Sequence, residues 1–174
     1  MAADPTNLTD ELVIEAGGWH PMFARVLLIV ADEDVAFVLV DGNGDGAELE
    51  MEYWSKDADG WVGGSSSGYG ALRTTPSMNR WDVGSMVCAV GQGGVPGESV
   101  RVGYNGEVIH CPVNQYGVWG FVRKVEGMDV KHPLPALLDG DADAAQARSQ
   151  MEAIMDARRE RIRAYLQSPR PPTA

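Results

Sequence analysis

Val35–Trp54 reads VAFVLV-DGNGDG-AELEMEYW, and its three parts set the architecture expected of the whole chain. The first six residues are apolar without interruption, which fits a strand buried on both faces. The Asp/Gly/Asn run that follows is turn chemistry. In Glu48–Trp54 the residues then alternate: Glu48, Glu50 and Glu52 fall on one side, Leu49, Met51 and Tyr53 on the other. That period of two predicts a half-buried strand with a wet acidic face.

Working outward, Arg25–Ala31 is a second apolar run, separated from Val35–Val40 by the acidic turn Asp32-Glu33-Asp34. Upstream, Asn7–Ala16 has the marks of a short helix: Asn7 or Thr9 as cap, acids in the first turn, and Gly17-Gly18 as the stop. Downstream, Lys56–Gly60 reads as a turn, and Gly63–Arg80, rich in Gly, Ser, Thr and Pro, as a long loop. Ser85–Gly91 and Tyr116–Val125 are further apolar strands.

Ser99–Cys111, SVRVGYNGEVIHC, carries the sharpest local signal. Asn105-Gly106 is the favoured pair for a two-residue type I′ turn, whose two positions both need φ > 0. Closing the hairpin there pairs Tyr104 with Glu107, Val102 with Ile109 and Val100 with Cys111. The apolar residues then share one face.

These elements predict a mainly β protein: an antiparallel β-sandwich, Ig-like or a small barrel, over residues 23–126. It is preceded by an N-terminal helix and lead-in over 1–22. A linker (127–140), a C-terminal amphipathic helix (141–167) and a disordered tail (168–174) follow. At 174 residues the chain is long enough to bury a core in one domain.

The net charge is −11, which argues against nucleic acid as a partner, because phosphate binding needs a basic field. The acidity belongs to the body, where residues 25–126 hold fourteen acids against seven bases. No apolar run approaches the length of a membrane span. The opening MAADPTNLTDELVIEAGG has neither a basic nor an apolar signal region, so a cytoplasmic protein is expected.

Asp41-Gly-Asn43-Gly-Asp45-Gly46 followed by Glu52 fits the spacing D-x-[DN]-x-[DN]-G-x5-E. Over these twelve residues the chain resembles an EF-hand loop. The resemblance implies calcium ligation by Asp41, Asn43, Asp45 and Glu52 through side chains and by Ala47 through its carbonyl. Two departures stand beside it: Glu48 occupies a position usually aliphatic, and both flanks read as strands. A strand would carry Glu52 away from the loop at about 3.3 Å per residue. The competing reading is a Gly-rich hairpin loop with solvated aspartates, and no cofactor at all.

Trp19, Trp54, Trp61, Trp81 and Trp119, with Tyr53, Tyr69, Tyr104 and Tyr116, suggest either core aromatics or a glycan-binding platform. In outline, a sandwich with such a platform and a calcium loop is similar to carbohydrate-binding modules. Cys88 and Cys111 are expected as free, buried thiols. No nucleophile motif is present, so an enzyme would need a pocket under the 63–80 loop.

The strongest candidate for partner contact is the 141–167 helix. Met151, Met155, Ile162 and Tyr165 follow 4-3-4-3 spacing with Arg158 in the fifth place, and Ile154 and Leu166 widen the stripe. The functional expectation is a non-catalytic interaction, adaptor or immunity-type regulatory module that binds a protein partner or itself through this stripe. The alternatives are a calcium-dependent ligand-binding module and a hydrolase-like enzyme.

Overall fold

Three antiparallel sheets and one short helix make up residues 7–127 and 131–138, the residues described by a computed structural model of the protein. The expected helix over 141–167, with every residue of its stripe, and the tail over 168–174 lie outside the described residues.

The apolar runs become strands close to where the sequence puts them. Strand β1 spans Arg25–Asp32, β2 spans Val35–Asp41 and β3 spans Leu49–Asp57. With β4, Gly60–Gly70, they form the first sheet in the order β1-β2-β3-β4. Strands β5 (Ser77–Val83), β6 (Met86–Gln92) and β9 (Trp119–Lys124) make the second, ordered β5-β6-β9. The third contains β7 (Ser99–Tyr104), β8 (Glu107–Pro112) and the two-residue β10 (Ala136–Leu137), ordered β10-β7-β8.

Every residue of β2 and of β6 is buried, and alternation along each strand divides the core. Val35, Phe37 and Leu39 of β2 meet Met86, Cys88 and Val90 of β6 in one apolar cluster. Ala36, Val38 and Val40 face the other way, into a second cluster with Leu12 and Val13 of helix α1, Asp10–Ala16. Val87 and Ala89 of β6 point into a third, with Val102, Tyr104 and Cys111 of the third sheet. The apolar runs of β2 and β6 are therefore strands covered on both faces.

The hairpin at Asn105-Gly106 forms in the expected register, with Tyr104 opposite Glu107, Val102 opposite Ile109 and Val100 opposite Cys111. Its turn residues take φ of 49° and 81°. Helix α1 is capped by Thr9, whose Oγ1 accepts from the Leu12 N–H at 3.3 Å. The acidic turn between β1 and β2 is held by β9. Lys124 Nζ lies 2.8 Å from Asp34 and 3.2 Å from Glu33, while its backbone N–H donates to Asp32 Oδ2 at 2.8 Å. This pairing raises the Lys124 pKa and lowers that of Asp34.

Two expectations are overturned. Gly63–Arg80 is not a long loop: most of it belongs to β4 and β5, leaving 71–76 between them. Small residues hid β4 because a strand exposed along most of its length shows no apolar alternation. Its ladder with β3 holds it instead. The acidic face of β3 is not wet throughout. Glu50 is half-buried and Glu52 only 7% exposed, because α1 and its lead-out cover that side of the sheet.

Candidate functional site

The Asp41–Glu52 stretch begins at the last residue of β2. Asp41 is buried, and both its oxygens are engaged by the loop itself: Oδ1 accepts from Gly44 N–H at 2.8 Å and Oδ2 from Gly46 N–H at 2.9 Å. Asp45 Oδ1 accepts from Ala47 N–H at 2.9 Å. These are the short-range bonds by which aspartates shape turns.

Glu52 stands apart from that loop. Asp41 pairs with Leu49 across the ladder and Glu52 with Val38, which puts Glu52 three residues along the strand, about 10 Å from the loop's start. Its oxygens are held by two indoles. Trp19 Nε1–H donates to Oε1 at 2.7 Å, and Trp54 Nε1–H donates to Oε2 at 3.0 Å. Trp54 is 1% exposed on the same face of β3, two residues on. Glu52 is thus not gathered with Asp41, Asn43, Asp45 and Ala47 of the loop, and among the described residues no three of His, Cys, Asp and Glu gather as metal ligands.

Glycines let the Trp19 ring reach Glu52. A Cβ on Gly42 would fall 2.6 Å from the ring, and one on Gly17 would fall 2.5 Å from its nitrogen. Trp19 thereby fastens the segment after α1 to the first sheet. Sequence reasoning missed this contact, although period two alone places Glu52 and Trp54 on one face.

The aromatics are distributed through the interior. Trp54 and Trp61 lie under α1, and Trp119 sits between the second and third sheets. Trp81 is 6.5 Å from Phe37 between ring centres, and Tyr104 is 5.3 Å from Phe121. None of the five tryptophans is exposed. Burial raises the pKa of Tyr53 and of Tyr69, whose hydroxyl donates to Val90 O at 3.3 Å.

Cys88 and Cys111 are free and buried in separate clusters, and burial pushes their thiols up to about 12 and about 11. Two shallow, open concavities among the described residues lie beside β1 with Asn114–Tyr116, and beside the Asn105 turn with Leu134 and Leu138. Neither is lined by a residue of 63–80.

No family model, curated protein or solved structure matches the chain. The surface itself then carries the reading. Val62–Gly68 of β4 is exposed residue after residue, and β4 is the terminal strand of its sheet. Among the described residues nothing pairs with its outer side. A terminal strand presents a row of N–H and C=O groups ready to hydrogen-bond a further strand.

Proposed function

We propose that the protein is a non-catalytic interaction module, a stacked β-sandwich scaffold that receives an extended protein segment along the outer edge of β4. The observation that carries this reading is that edge: eleven residues of strand, exposed from Val62 through Gly68, with no charged or proline residue in it. Strand addition draws its affinity from main-chain hydrogen bonds and its selectivity from side chains on alternate positions. The buried carboxylates support the same reading, since Asp41 and Glu52 serve the scaffold's own N–H groups.

The test compares what full-length wild type and Ser66→Lys capture from the native host. The reading expects a protein held by wild type and lost from the variant, because an edge lysine obstructs strand pairing. Identical captures would refute it.

A second reading rests on sequence pattern alone. The stripe Met151, Ile154, Met155, Ile162, Tyr165 and Leu166 suits an apolar seam that binds a partner or a second copy. Met155→Glu with Ile162→Glu in the full chain tests it, with loss of the captured partner or of self-association expected.

A further inference from the structure

We infer that the segment received by β4 is β4 of a second copy, paired antiparallel about a two-fold axis at Ser66. The inference rests on the edge-binding reading above and names its occupant.

The argument begins with charge. A chain of net charge −11 repels its own copies, so self-association requires a surface where that repulsion is absent. Gly60–Leu72 is an uncharged run of thirteen residues. Another long uncharged run, Val83–Gly97, contains the wholly buried β6, whereas Gly60–Leu72 is largely exposed.

The two ends of the run carry opposite signs. Asp59 precedes it and Arg73 follows it, both exposed, and its midpoint is Ser66. In an antiparallel pair centred on Ser66, Gly64 lies opposite Gly68 and Ser65 opposite Ser67. Asp59 and Arg73 flank the strand at its two ends, so Asp59 of each copy then lies at the same end of the pair as Arg73 of the other. A two-fold interface must complement itself, and this edge does so in one orientation only, since a parallel pair would set acid against acid. Serines facing serines across the ladder can exchange hydroxyl hydrogen bonds.

Natural edges are shielded by shortness, charge, proline or bulges. Of these β4 keeps only bulges, where Gly64 and Ser65 together oppose Tyr53 and where Tyr69 is passed over between Gly68 and Gly70. They confine regular pairing to the stretch around Ser66–Gly68. A contact that short falls below the roughly 800 Å² per partner of a standard interface, so the dimer is concentration-dependent.

Sedimentation of the full chain, up to roughly 1 mM, tests the inference. Wild type dimerises reversibly. Ser66→Lys, which sets two lysines against each other at the axis, weakens the dimer about tenfold or more. Arg73→Glu weakens it roughly fivefold, and Asp59→Lys with Arg73→Glu restores it to within about twofold. Circular dichroism confirms that each variant keeps its sheet content.

A wild type that stays monomeric throughout overturns self-pairing, while the edge-binding reading still stands on its capture comparison. A dimer indifferent to Ser66→Lys, or a charge swap that fails to restore pairing, overturns it as well and moves the interface to another surface.

Discussion

Removing the Trp19 indole N–H should cost more than the half-buried position of that residue suggests. Trp19 donates to Glu52 Oε1 at 2.7 Å, the shorter of the two bonds on a carboxylate that is only 7% exposed. Hydrogen bonds to a charged group contribute about 1.5–3 kcal/mol, and a buried acceptor left unpaired forfeits its solvation too. Trp19→Phe keeps most of the ring against Gly42 and Gly17 and deletes the donor, so a loss of about 2–3 kcal/mol is expected. At about 2–4 °C per kcal/mol for a chain of this size, the melting temperature falls by about 4–12 °C. Glu52→Gln is the companion variant: it presents an amide NH2 to one of the two indole N–H groups, donor against donor, at a similar cost. Urea unfolding of both single variants and the double variant closes a cycle whose coupling should lie near 0.5–3 kcal/mol. A Trp19→Phe protein within about 0.5 kcal/mol of wild type, or strictly additive losses, would refute the view that this bond fastens the α1 segment to the sheet.

The buried thiols make stability fall in alkali. Their folded pKa values, about 12 for Cys88 and about 11 for Cys111 against an ordinary 9.0, mean that the folded chain holds these protons more tightly. Their contribution is complete below about pH 9 and fades as pH rises through 11–12, so the urea midpoint should be lower near pH 11 than near pH 8, and equal midpoints would count against it. Both thiols should also resist a thiol reagent until the protein unfolds, as thiolates are the reactive form. Asp41→Ala releases the N–H groups of Gly44 and Gly46 and should cost about 1–3 kcal/mol. Added calcium should leave the wild-type melting temperature unchanged, because two indole N–H groups hold Glu52 away from the loop; a calcium-dependent rise would support the EF-hand reading. Gly106→Val forces a β-branched residue to φ 81° and should destabilise the β7–β8 hairpin by about 1–2 kcal/mol or more, read by thermal melting.

What could be read from the sequence depended on whether local chemistry and burial pointed the same way. At Ser99–Cys111 the Asn-Gly turn and the apolar alternation select one register independently, and the ladder follows it pair by pair. Continuous runs such as Val35–Val40 also declared themselves, because strands covered on both faces have no polar side to interrupt them. Glu52 misled for the opposite reason. Its neighbours alternate like a wet face, yet the cover arrives from Trp19, thirty-three positions upstream. No window on β3 contains that information, whereas the placement of Trp54 on the face of Glu52 was there to be read.

β4 shows the other limit. Hydrophobic periodicity reports a strand only through the difference between its two faces, and Val62–Gly68 has none, being exposed on both. Gly and Ser are also poor strand formers in isolation. The segment is extended because β3 supplies a ladder on one side, and the same fact leaves the other side open. The features that concealed the strand, small side chains and no charge, are those that let a second backbone approach it closely. A segment misread as loop for lack of pattern is thus the part of the first sheet best suited to pair with another strand.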